Sequence, residues 1–124
     1  MVEVIHTAVW VSDLERTRAF YVDALGLSHT RDFESEGVTN FYVAGEGDAE
    51  IQFKYEPDRG TVEPSGIDHL AVSVDDVDAV LDRLLAETDT EVAEGPTTLE
   101  DLDVYIAFVT DPDGYVVELV EYLD

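Results

Sequence analysis

The stretch HTAVWVSDLERTRAFY, residues 6–21, has a counterpart in HLAVSVDDVDAVLDRL, residues 69–84. Both run His-x-Ala-Val-x-Val-x-Asp, then an aliphatic residue, then a charged helical segment. A self-similar pattern of this kind decides architecture before any single element does.

Around the first copy, EVIHTAVWV (3–11) alternates and is rich in β-branched residues, which predicts a strand. Ser12-Asp13-Leu14-Glu15 has the form of a capping box and predicts a helix start. Leu14, Thr17, Tyr21 and Leu25 make its apolar stripe, and Gly26 its stop. Strands are predicted near 27–33, 38–44 and 49–55, with turns at Gly37 and at 45–48. The segment PDRGTVEPSG (57–66) reads as a linker. The order then repeats. IDHLAVSV (67–74) predicts a strand. Asp75 is the expected cap of a helix burying Val77, Val80, Leu81 and Leu84. Strands follow near 90–93, 104–110 and 115–122, with Asp111-Pro112-Asp113-Gly114 as a hairpin turn.

The prediction is an α+β chain of two tandem βαβββ modules, about 1–56 and 67–124, with eight strands and two main helices. The two histidines lie 69 − 6 = 63 positions apart, and Gln52 and Glu118 lie 118 − 52 = 66 apart. The second copy thus gains about three residues in its loops.

Composition narrows the function. Thirty Asp and Glu against six Lys and Arg give a formal net charge of −24, spread along the whole chain. Only Lys54 is a lysine. Such a surface repels itself in dilute buffer and is screened in molar salt. It predicts a salt-accumulating halophile, and it disfavours nucleic acid as a partner. No apolar run approaches the ~20 residues of a membrane span. The opening MVEVIHTAVWVSD lacks a signal-peptide pattern, so a cytoplasmic location is expected. With no cysteine, thiolate chemistry is excluded.

Four polar residues stand in otherwise apolar strands: His6, Gln52, His69 and Glu118. A carboxylate on such a face is costly unless paired or ligated. One strand histidine is ordinarily a hydrogen-bonded structural residue. Two at equivalent positions, with Gln52 and Glu118 equivalent on later strands, point to a metal site. Two imidazoles, a carboxylate and a carboxamide oxygen suit Zn, Ni, Co, Mn or Fe(II). One carboxylate leaves net positive charge to polarise a substrate oxygen. His29 has no partner in the other half and is expected at the surface.

The stretches 6–27, 68–76 and 106–122 (IAFVTDPDGYVVELVEY) resemble the vicinal oxygen chelate superfamily, over essentially the whole chain as one domain of paired modules. The resemblance is nearest to the glyoxalase I (lactoylglutathione lyase) branch, beside the bleomycin resistance and dioxygenase branches. It implies metal ligands at His6, Gln52, His69 and Glu118, and Glu118 as catalytic base. It also implies a homodimer with shared sites, a small-molecule substrate, and lyase or isomerase chemistry on a hemithioacetal. Four departures are visible, one of them Glu56, near where that branch has a polar amide that touches glutathione. Gln52 stands where bacterial glyoxalase I usually has glutamate. Trp10 stands where that branch has a glutathione-binding arginine. The acidic TTLEDLD (97–103) replaces a glycine- and lysine-containing loop. Arg16, Arg18, Arg31, Arg59 and Arg83 are the candidates to replace the lost cations. The alternatives are a methylmalonyl-CoA-epimerase-like or extradiol-dioxygenase-like enzyme, or a metal-free binding protein.

Overall fold

The structure, a computed structural model, describes all residues from Met1 to Asp124. The chain divides into two compact units, Met1–Val62 and Glu63–Asp124. In the first, β1 (His6–Trp10) leads to α1 (Leu14–Arg18), which continues as a π-helical turn over Ala19–Ala24. Then come β2 (Ser28–Ser35), β3 (Val38–Ala44) and β4 (Glu50–Tyr55). The second holds β5 (Leu70–Ser73), α2 (Val77–Glu87), β6 (Val92–Leu99), β7 (Val104–Thr110) and β8 (Val116–Tyr122).

Each unit forms a four-stranded mixed sheet of the same topology, β1-β4-β3-β2 and β5-β8-β7-β6. The first and last strands of each unit pair in parallel and the others antiparallel. The α+β class and the twofold β-α-β-β-β order expected from the sequence are therefore present.

One face of each sheet carries the core. In the first unit Val9, Phe41, Val43 and Phe53 are buried together with Phe20 and Tyr21. The Tyr21 and Phe53 rings lie 4.6 Å apart, a separation favourable for aromatic pairs. In the second unit the stripe Val77, Val80, Leu81 and Leu84 is buried, as are Ala107, Val109, Val117 and Leu119.

Several local expectations are corrected. The cap of α1 is Asp13, whose carboxylate accepts from Arg16 N, not Ser12. The Ser12 hydroxyl instead accepts from Val62 N at 2.6 Å, a partner invisible in local sequence. Asp76, not Asp75, caps α2 by accepting from Ala79 N. In addition, Glu121 of β8 takes the Val77 N–H at 2.9 Å. Strand β6 is longer than predicted and absorbs Thr97–Leu99; only 100–103 of the acidic segment form the turn. Its polar, Pro-containing sequence hides it, and an edge strand tolerates such residues because one side needs no ladder partner. The hairpin at 111–114 is closed by Gly114 N donating to Asp111 O at 3.0 Å. Gly114 adopts a positive φ of 92°, which glycine takes without steric cost.

Candidate metal-binding faces

The face of each sheet turned away from its core carries the polar residues. Register defines it in the first unit. Ala8, Gln52, Tyr42 and Arg31 form one row across β1, β4, β3 and β2. Trp10, Lys54, Asn40 and Phe33 form the next row. His6 lies two residues before Ala8 and shares its direction. Its ring meets Tyr42 edge-on at 5.8 Å and 89°.

The second unit reproduces this row by row. Ala71, Glu118, Phe108 and Glu94 correspond to the first row. Ser73, Val120, Ile106 and Thr97 correspond to the second. His69 stands just ahead of β5, and its ring meets Phe108 edge-on at 5.7 Å and 84°. The two histidines thus occupy equivalent environments, each braced by an aromatic side chain that pairs with the Gln or Glu of the last strand.

In the second unit His69 Nε2 lies 3.3 Å from Glu118 Oε1, and His69 Nδ1 lies 2.7 Å from Asp68 Oδ2. If Nδ1 carries its proton toward Asp68, Nε2 presents a lone pair on the Glu118 side. Two lone-pair atoms at that spacing require a cation or a proton between them. In a tetrahedral zinc site with ~2.0–2.1 Å bonds, neighbouring ligand atoms lie about 3.4 Å apart. In the first unit Gln52 is 7% exposed, and its Nε2 donates to Asn40 Oδ1 at 2.8 Å. That bond engages the nitrogen end of the carboxamide and leaves Oε1 as its Lewis-basic end. No group of three or more His, Cys, Asp and Glu side chains in the chain is arranged to hold a metal ion.

The sequence had marked His6, Gln52, His69 and Glu118. It had not marked what surrounds them. Asp68 holds His69, and Asn40 holds Gln52. Arg31 lies 4.1 Å over the Tyr42 ring and bridges to Glu50 at 3.2 Å. The Thr30 hydroxyl, at 2.6 Å, and then the Arg31 charge hold the Glu50 carboxyl below the usual range. At Trp10, Arg59 stacks 3.5 Å over the indole and Lys54 Nζ lies 5.5 Å from it. Two cations therefore flank the position where an arginine was missing. His29 is exposed, as expected, yet it also stacks on Phe41 at 4.4 Å and pairs with Asp32 at 2.7 Å.

Two βαβββ units, each with a histidine at its first strand and an amide or carboxylate on its last, define a duplicated fold. The sequence matches the Glyoxalase/Bleomycin resistance protein/Dioxygenase superfamily over residues 3–119, and the chain belongs to that family. It is 33% identical to a lactoylglutathione lyase of Haemophilus influenzae, over 96% of this chain and 92% of that protein. The fold matches crystalline glyoxalase I of Zea mays with a TM-score of 0.85 at 24% identity, covering 98% of this chain and 45% of that one. It also matches an antibiotic-binding protein of Streptomyces, with a TM-score of 0.74 at 29% identity over 98% and 97% of the two chains. Some plant relatives are longer: the chain spans 35% of a chloroplastic Arabidopsis thaliana protein named for lactoylglutathione lyase activity.

Proposed function

We propose that the protein is a glyoxalase I-type lyase that isomerises the hemithioacetal of a 2-oxoaldehyde with the help of one divalent ion. His6, Gln52, His69 and Glu118 would hold the ion. The observation that carries this reading is the 3.3 Å approach of His69 Nε2 to Glu118 Oε1, with His6 and Gln52 on the equivalent strands of the first unit. The name and near-complete coverage of the Haemophilus relative support the reaction class.

A divalent ion held there would supply Lewis acidity, which favours loss of the proton from a C–H beside a carbonyl. Glu118 takes the proton from the hydroxyl-bearing carbon and returns it to the neighbouring carbonyl carbon. The hydroxyl proton passes to the other oxygen, so the product is a 2-hydroxy thioester with no net gain or loss of atoms. Gln52 has no basic site for this task, which leaves Glu118 as the sole carboxylate among the four. Asp68 keeps the His69 ring in one orientation.

Arg31, Lys54 and Arg59 make three of the six basic residues, and all lie on the face that bears His6 and Gln52. In a chain with thirty acidic residues, that concentration supports an anionic thiol conjugate as substrate.

Metal content tests the reading most directly. Protein purified in high salt is expected to carry about one divalent ion per four-residue set, and His6→Ala or His69→Ala to lose most of it. Elemental analysis with unchanged circular dichroism is the measurement; full metal content in both variants would sink the assignment. The similarity to an antibiotic-binding protein favours ligand sequestration as a second reading. Turnover of the methylglyoxal hemithioacetal separates the two.

The same charge distribution supports a cytoplasm of high salt content. No helix is long and apolar enough to cross a membrane. With thirty acidic groups against six basic ones, self-repulsion works against the ~5–15 kcal/mol by which domains are stable. The melting temperature is expected to rise steeply between dilute buffer and molar KCl. A flat calorimetric profile across that range would refute halophilic adaptation.

A further inference from the structure

Gln52 differs from Glu118 in one respect that matters to a cation: the two ends of its side chain are not alike. A carboxylate offers oxygen whichever way it turns, whereas a carboxamide offers oxygen or an N–H donor. Something must choose between them. Asn40, 2% exposed, accepts from Gln52 Nε2 and from Lys54 Nζ through the same Oδ1, each at 2.8 Å. A lysine ammonium donates and has no acceptor, so the Asn40 atom that faces it must be oxygen. The other end of Asn40 donates to Val38 O at 3.3 Å, and a carbonyl can only accept. Both contacts fix the same orientation of Asn40. An Asn40 oxygen in turn admits only the nitrogen of Gln52, which directs Gln52 Oε1 away from this network.

The duplicated fold contains its own control. Asn40 and Lys54 pair across β3 and β4, and their counterparts across β7 and β8 are Ile106 and Val120. The apolar pair sits behind Glu118, and the polar pair behind Gln52. Burying Asn40 and half-burying Lys54 costs free energy that the Ile106 and Val120 solution avoids. The polar pair occurs only where the ligand has two unlike ends.

We propose that Lys54 and Asn40 are positioning residues that set the Gln52 carboxamide with its oxygen toward the metal; this rests on the metal reading above. Lys54 acts on the Gln52 carboxamide through Asn40.

Lys54→Glu gives a test in which sign decides. An acceptor at position 54 turns the Asn40 nitrogen inward, which recruits the Gln52 oxygen and presents Nε2 to the metal. Charge alone predicts the opposite, because a carboxylate in place of an ammonium attracts a divalent cation. The probe is Ni2+, titrated against a chromogenic chelator in high salt. Lys54→Glu is expected to weaken binding about 10–100-fold, in the range typical of residues that orient a ligand. In a Gln52→Glu background the same change is expected not to weaken binding, and Lys54→Arg is expected to preserve it in both. The double variant Asn40→Ile with Lys54→Val copies the second unit's pair, which provides a packing-compatible alternative should Lys54→Glu fold poorly. It too should lose affinity with Gln52 and not with Gln52→Glu.

A metal-free readout separates this inference from the metal assignment. In 15N spectra of the metal-free protein, the Gln52 side-chain amide should exchange slowly in the wild type and Lys54→Arg, and fast in Lys54→Glu and the double variant. Slow exchange in all four, or Ni2+ binding by Lys54→Glu as tight as wild type with Gln52, overturns the relay. A wild type that binds no Ni2+ overturns the metal reading and the relay's role in it, even where amide exchange follows the predicted order.

Discussion

Glu118→Gln is expected to lower kcat by about 10²–10⁴-fold under metal-saturating conditions while leaving the fold intact, the range expected for loss of a general base. The substitution preserves side-chain volume on β8 and the packing against Phe108, its register partner. What it removes is the only carboxylate of the four proposed ligands. Gln52 cannot substitute, since an amide has no proton affinity at neutral pH. Metal affinity should fall as well, because the two-residue set of the second unit loses its negative charge. The experiment therefore compares kcat at saturating ion, with metal content measured on the same sample. Unchanged turnover in a metal-loaded variant would eliminate Glu118 as the base.

Mixing two inactive variants is expected to restore activity from near nothing to about a quarter of the wild-type value, if the proposed dimer shares its sites. His6→Ala and Glu118→Ala each damage every site in a homodimer. Random exchange makes half the dimers mixed. When a site takes His6 and Gln52 from one subunit and His69 and Glu118 from its mate, a mixed dimer has one doubly damaged and one intact site. When a site is assembled within one chain, each retains one defect and no mixture recovers. Activity after co-refolding in high salt, with dimer mass measured alongside, reads the outcome. Absence of recovery from a verified mixed dimer rejects shared sites.

Much of the fold was legible because the duplication writes it twice. The stripe Val77, Val80, Leu81 and Leu84 needs only helical periodicity to be recognised, and all four are buried. Strands β3, β4, β7 and β8 are apolar enough to stand out. Strand β6 was less legible because its residues are exposed and polar, and an edge strand is held by its neighbour's ladder rather than by its own side chains. The caps slipped by one residue at both helices. Adjacent Ser12 and Asp13, or Asp75 and Asp76, have similar intrinsic preference, and only the chain's path selects which one reaches a free N–H.

The sequence by itself determined the class, the twofold repeat and the identity of four candidate ligands, since these follow from periodicity and from polar residues misplaced in apolar strands. It also determined the charge, which needs no folding to be counted. Only tertiary structure decided how each ligand is held. Hydrogen bonds donated by Lys54 and Gln52 to Asn40 join two strands, and the Arg59 guanidinium reaches Trp10 across 49 positions of chain (59 − 10 = 49). Such contacts depend on strand register, which is a property of the folded sheet: a shift of one residue would send Lys54, Gln52 or Asn40 to the opposite face.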